Sequence, residues 1–312
     1  MFKARMYDHR TLIGAAAVVA LAVGPLVLGL RGSRSDHQTS LTAGPAPASP
    51  WDWKLTIASA LLFGLAFNLI FFIQELFLVL PKALTPGLRP ILFHNNHTWT
   101  GENPLASLFQ GTGALAILVT GVACIFLLKG RVGRSSSARL FLIWMAYNGF
   151  LQSLPQVVVG SVEPRNDVGM AMDYLHLGVA AKTVAALMAL TAIPAAALSL
   201  REPLLSLAAH ADDIAGARAR TRFMFRAATV PALAAILLII PFRVPRNWVE
   251  VIAVPVVAAV IGIAWLQAGA WAAAGGRARG TLSSKSIAYA FGGLLMLFLV
   301  FHLVLRPGIR FY

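Results

Sequence analysis

The sequence predicts an all-α, polytopic transmembrane helix bundle of about eight spans, with seven to nine compatible with the pattern. Three observations predict it. The 312 residues are 58% hydrophobic and 12% charged, with a mean hydropathy of +0.74, whereas a soluble globular chain carries roughly 25% charged residues. Such a composition leaves too little polar side chain to cover a water-facing surface. The apolar residues fall in blocks of about 20, the length a helix needs to cross roughly 30 Å of hydrocarbon. The Lys and Arg residues gather in the short connections between those blocks, as they do in membrane loops.

Residues 1–54 read as an N-terminal anchor helix and a Pro/Ser-rich linker. Lys3, Arg5 and Arg10 precede an apolar run from Leu12 to Leu30. That run is longer than a signal-peptide core, and Leu30-Arg31-Gly32-Ser33 offers no small-x-small cleavage site. The linker ends in Gly44-Pro45-Ala46-Pro47-Ala48-Ser49-Pro50, which cannot be helical because proline fixes φ and removes donors. The central part, 55–200, holds spans at 55–80, 105–128, 140–160 and 175–200. Residues 201–226, with Arg218, Arg220 and Arg222, read as a basic interfacial segment at the headgroups. The C-terminal part, 227–312, supplies spans at 227–241, 249–272 and 287–305.

The formal net charge is +14, but it is spread over loops rather than set on one folded surface. The bilayer is therefore the expected partner, and no nucleic acid is expected. No nucleotide is expected either, since no phosphate loop is present. The Ala-rich span 175–200 offers a small-residue face that another membrane protein could cover. The lone Cys124 cannot form an intramolecular disulfide. An Ala-, Val-, Leu- and Arg-rich composition suits a multi-pass protein of a bacterial inner (plasma) membrane. Lys and Arg are denser after the third, fifth and seventh spans, which places those connections in the cytoplasm. Strict alternation then puts the N-terminus outside, in conflict with its three basic residues.

Polar groups inside the spans are the candidates for chemistry, because each is costly in hydrocarbon unless paired or set in a polar cavity. Glu75 stands in Phe71-Phe72-Ile73-Gln74-Glu75-Leu76, with Lys82 as a possible partner. His94 and His97, three apart, can share one face of a helical turn, as metal ligands often do. Asn148, Gln152 and Gln156 form an amide stripe at a spacing of four; such a stripe serves interhelical hydrogen bonding or lines a cavity. Asp167 and Asp173 are possible acceptors for Arg165 or Lys182, and Lys182 and His302 both lie in apolar runs.

The order of three segments resembles the site-2 protease family of intramembrane zinc metalloproteases. Gln74-Glu75-Leu76-Phe77-Leu78 stands where that family has HExxH, Gln110-Gly111-Thr112-Gly113-Ala114-Leu115 is similar to its next span, and Asn166-Asp167-Val168-Gly169 is similar to its aspartate motif. The resemblance covers roughly residues 60–175 and implies a protease-like core with Glu75 as its catalytic carboxylate. Both zinc histidines of the motif are absent, since Gln74 and Leu78 hold their places. The expectation is a protein without zinc peptidase activity and without a cofactor, binding a membrane partner or lipid. One alternative is a metalloenzyme in which zinc is held by His94, His97, Glu75 and Asp167. A transporter of ions or small solutes, using Glu75, Asp167, Asp173, Lys182 and the amide stripe, is another.

Overall fold

In the computed structural model, which describes residues 2–40, 50–130, 132–274 and 282–312, the chain is a bundle of long helices with one small sheet. The proline-rich linker 44–49 lies outside the described residues. Helix α1 is two segments, Phe2–Val18 and Gly24–Ser40, joined by a π-helical turn at Val19–Val23. Then come α2 (Trp53–Ala83), strands β1 (Arg89–Leu92) and β2 (His97–Thr100), α3 (Leu105–Lys129) and α4 (Ser136–Val162). The short α5 (Asp167–Tyr174) leads to α6 (Val179–Ser199) and the single-turn α7 (Arg201–Leu205). Helices α8 (Ala217–Arg243), α9 (Val249–Ala272) and α10 (Ser284–Leu305) follow, and β3 (Ile309–Arg310) ends the chain.

Seven of these helices are long and apolar enough to cross a membrane. The chain is thus a multi-pass, membrane-spanning helical protein. An eighth helix of membrane length, the 27-residue α4, falls outside that set because it carries the amide stripe. Its position explains its polarity. Leu140, Ile143, Trp144, Ala146 and Tyr147 are all fully buried, so α4 faces other helices and its amides meet protein rather than lipid. By contrast, α3 exposes Leu115, Val119, Phe126 and Leu127, as a lipid-facing helix must.

Small residues let the central helices approach closely. A Cβ built on Gly149 of α4 would lie 2.7 Å from the Ile117 carbonyl oxygen and 2.9 Å from the Gly121 backbone of α3. Only glycine permits that crossing, and van der Waals contact between the two backbones replaces the hydrophobic drive that lipid cannot supply. Around it, Phe63 of α2 packs edge-on against Trp144 at 4.9 Å, and Trp144 donates from Nε1 to Ser59 Oγ at 3.0 Å. Tyr147 donates to the Ala259 carbonyl of α9 at 2.6 Å.

Hydrogen bonds sort the connections into two ends. At one end β1 pairs antiparallel with β2 and with β3, so the hairpin after α2 meets the C-terminal residues. Asn95, in the hairpin turn, donates to the carbonyls of Arg243 and Pro245 after α8. The start of α1 belongs to this end too, since Arg10 donates to the Val162 carbonyl at the end of α4. At the other end Trp271 donates to the Leu28 carbonyl, Arg201 to Gly269 and Arg139 to Pro203. The alternation read from the sequence, N-terminus opposite the basic connections, holds in the bundle.

Two expectations need correction. The span expected at 227–241 begins near Ala217, where Ala217–Met224 runs through a π-helical turn at Phe225–Thr229 into Val230–Arg243. Arg218, Arg220 and Arg222 therefore sit on the first turns of a spanning helix rather than on a separate surface helix. Basic side chains at a span terminus reach headgroups without a dedicated segment. His94 and His97 share no helical face, because they occupy a β-hairpin: His94 is in the turn and His97 opens β2 opposite Leu92.

Candidate functional site

The hairpin lays His97 against α2. Its Nδ1 is 2.8 Å from Glu75 Oε2, and its Nε2 is 3.1 Å from Gln110 Oε1 of α3. Lys82, two turns beyond Glu75 on α2, donates to the same Gln110 oxygen at 2.9 Å and to the Leu78 carbonyl at 2.7 Å. Trp99 covers the group, stacked on His97 at 5.8 Å with the Lys82 ammonium 4.8 Å from its ring centre. Glu75, His97, Lys82 and Gln110 are all less than 10% exposed.

These bonds fix where protons lie. Lys82 nitrogen donates both of its bonds, so Gln110 presents its oxygen, which only accepts. His97 Nε2 must then carry a hydrogen. At the other ring nitrogen, Nδ1 and the Glu75 carboxyl are within bonding distance, so one proton sits between them. The pair is either imidazolium with carboxylate or imidazole with carboxylic acid. In both states the membrane-embedded Glu75 avoids standing as an unpaired buried charge.

Asp167, half-buried at the start of α5, lies within electrostatic range of His97, Glu75, Lys82 and Arg246. Burial is the largest influence and raises its carboxyl above the ordinary range; Glu75 pushes the same way, and His97, Lys82 and Arg246 oppose. Asn166 caps α5 by accepting from the Val168 amide at 3.2 Å, which sets Asp167 on the first helical turn. Glu75 and Asp167, 92 positions apart in the sequence, thus share one neighbourhood.

The remaining candidates divide between bonding and elsewhere. Gln156 donates to Gln74 Oε1 at 2.9 Å, and Gln152 reaches the Phe67 carbonyl and Asn148 Oδ1 at 3.3 and 3.4 Å. Asn148 turns back to its own helix, donating to the Trp144 carbonyl. The stripe therefore ties α4 to α2. Lys182 pairs with Asp173 at the edge of the bundle, which supplies the partner an apolar run demands. His94 points away from Glu75: its Nε2 bonds the Val244 carbonyl at 3.1 Å and its ring lies 5.5 Å from that of His302.

Zinc fits these residues poorly. Gln74 and Leu78 hold the two histidine places of the protease motif, and Gln74 is bonded to Gln156 while Leu78 is fully buried. A Cβ on Gly113 would sit 2.7 Å from Leu78 Cγ and 2.9 Å from Gln74 Cγ, so α3 fills the space beside them. Both nitrogens of His97 are committed. Among the described residues no three His, Cys, Asp or Glu side chains are grouped to hold a metal ion, and zinc needs three good protein ligands. The expected set of His94, His97, Glu75 and Asp167 is separated by the hairpin turn, which sends the two histidines to different helices.

Residue-by-residue reading of the sequence did not mark Gln110, Trp99 or Arg246 for this site. Lys82 carried a signal, since its seven-residue spacing from Glu75 puts both on one helix face. Gln110 carried a weaker one, as an amide in an apolar span. Comparison with protein-family models, with curated proteins and with solved structures finds no match to this chain.

Proposed function

We propose that this is a membrane-embedded binding protein of site-2 protease-like core that has no peptidase chemistry and engages a membrane partner or lipid. The observation that carries the reading is the closed bonding of Glu75 by His97. A catalytic glutamate must be free to take a proton from water beside a metal, whereas Glu75 already shares one with the imidazole. Support for a protease-like core comes from the meeting of its three segments: Gly113 of α3 packs on Gln74 and Leu78, and Asp167 lies within electrostatic range of Glu75. The test is the metal content of the purified full chain after zinc addition and dialysis. The reading expects far less than one zinc per chain, unchanged in Glu75→Ala. About one zinc per chain, lost in His97→Ala and Glu75→Ala, would restore the metalloenzyme reading.

A second reading is proton-coupled transport, favoured by the single proton shared between Glu75 and His97 beside Lys82 and Asp167. Proteoliposomes carrying an entrapped pH dye decide it. Proton flux abolished by Glu75→Gln supports transport, and flux equal to that of empty vesicles removes it.

A further inference from the structure

Outside the Glu75 group, the hairpin end holds buried nitrogen atoms without partners. Arg243, at the end of α8, is 4% exposed, and its Nε and Nη1 make no hydrogen bond among the described residues. Its Nη2 makes a long bond of 3.4 Å to the Glu250 carbonyl, and its guanidinium lies 4.1 Å from the Phe71 ring centre. His94, 5% exposed in the hairpin turn, likewise leaves Nδ1 unbonded. Buried nitrogens without partners are rare in folded proteins, and a charged donor such as Arg243 is the costliest to leave unmet, whereas His94 Nδ1 is an acceptor while Nε2 donates to the Val244 carbonyl.

The surrounding charges decide the sign of a ligand. His302, Arg306 and Arg243 all lie within electrostatic range of His94, and Arg306 is exposed. The two nearby carboxylates are engaged elsewhere. Glu75 is held by His97, and Glu250 pairs with Arg246 at 2.6 Å, an ion pair rather than an aligned hydrogen bond. Although the His94 and His302 rings are close, the arginines around them repel a metal cation and attract an anion. The free Nε–H and Nη1–H of the guanidinium can each donate a charge-assisted hydrogen bond to an anionic oxygen such as that of a phosphate.

We propose that Arg243, His94 and Arg306 form a binding site for a phosphate-bearing anion, between the end of α8, the hairpin turn and the end of α10. Arg243 supplies two buried N–H donors and Arg306 the charge at the open edge. Burial is the main influence holding His94 below its ordinary range, against the raising effect of its bond to Val244; the neighbouring His302, Arg306 and Arg243 lower it further. An arriving anion offsets the arginine charges and lets Nδ1 take up a proton and donate it. Two π-helical turns, Val249–Ala253 and Val300–Leu305, flank the place, and such turns are frequent at functional sites. Beside it Phe242, Phe298 and Phe301 stack edge to face, and Leu303 and Val304 are exposed. That apolar flank suits the acyl chains of an anionic phospholipid, although a free phosphate group would meet the same donors.

The test uses the purified full chain in neutral detergent, with thermal unfolding followed while phosphatidylglycerol, phosphatidylcholine or inorganic phosphate is added. The wild type should be stabilised by phosphatidylglycerol over phosphatidylcholine, or by inorganic phosphate, with apparent affinity falling about fivefold or more in Arg243→Gln and Arg306→Gln. A response to the lipid alone identifies a headgroup ligand, and competition by inorganic phosphate identifies a soluble one. Arg306 is exposed, so Arg306→Gln keeps the test valid if Arg243→Gln fails to fold. No response to either ligand, or equal affinity in wild type and Arg306→Gln, overturns the proposal.

Discussion

Asp167 gives the site a pH signature whose sign follows from its environment. Its carboxyl is raised in the fold, chiefly by burial, so the folded state binds a proton more tightly than the unfolded chain does. Ionisation of Asp167 therefore opposes folding at neutral pH, and that opposition fades as pH falls from neutral towards the ordinary carboxylate value of about 4. Asp167→Asn removes the ionisation. Its melting temperature in detergent should equal or exceed that of the wild type at pH 7.5, and the difference should shrink as the pH is lowered to 5. A large loss of stability in Asp167→Asn at pH 7.5 would instead mean that the negative charge is needed by His97 and Lys82.

At the scale of elements, α4 is the axis of the bundle, and its position depends on Gly149. Substitution by Leu would press a side chain into the Ile117 carbonyl and the Gly121 backbone, which have no flexible end to move aside. The expected cost is about 1–3 kcal/mol, read as a melting temperature several degrees lower, whereas an unchanged value would show that α3 and α4 can separate freely. The long helices were legible in the sequence because lipid demands unbroken apolar runs, and α4 was legible as an apolar block at 140–160 despite the amide stripe it carries. The β-hairpin was not. Residues 89–100 are short, polar and close to the interface, and the spacing of His94 and His97 suits a helical turn as well as a strand and turn. That single local ambiguity decided the site. Read as a helix, it brings both histidines to Glu75; folded as a hairpin, it brings His97 there and sends His94 to α8 and α10.

Among the described residues, the seven helices apolar enough to span and the 27-residue α4 alternate direction, so the hairpin, the C-terminus and the start of α1 share one end. The basic connections occupy the other, which the positive-inside rule assigns to the cytoplasm. Single cysteines placed at the exposed Glu102, Tyr312 and Asp212, in a Cys124→Ala background, test this arrangement in intact cells. An impermeant thiol reagent should reach positions 102 and 312 from outside and fail to reach 212. Labelling that separates 102 from 312 would contradict the bundle.

That geometry makes the Glu75–His97 pair the centre on which the hairpin, α2 and α3 converge, and a double-mutant cycle measures it most directly. Glu75→Gln, His97→Ala and the double variant are unfolded in detergent beside the wild type. Removing one partner of a buried pair costs about 3–5 kcal/mol, so each single variant should be strongly destabilised and the double variant much less than their sum, with a coupling of about 1–3 kcal/mol. Additive losses would contradict the account, since they would mean that Glu75 and His97 do not share a proton in the folded protein.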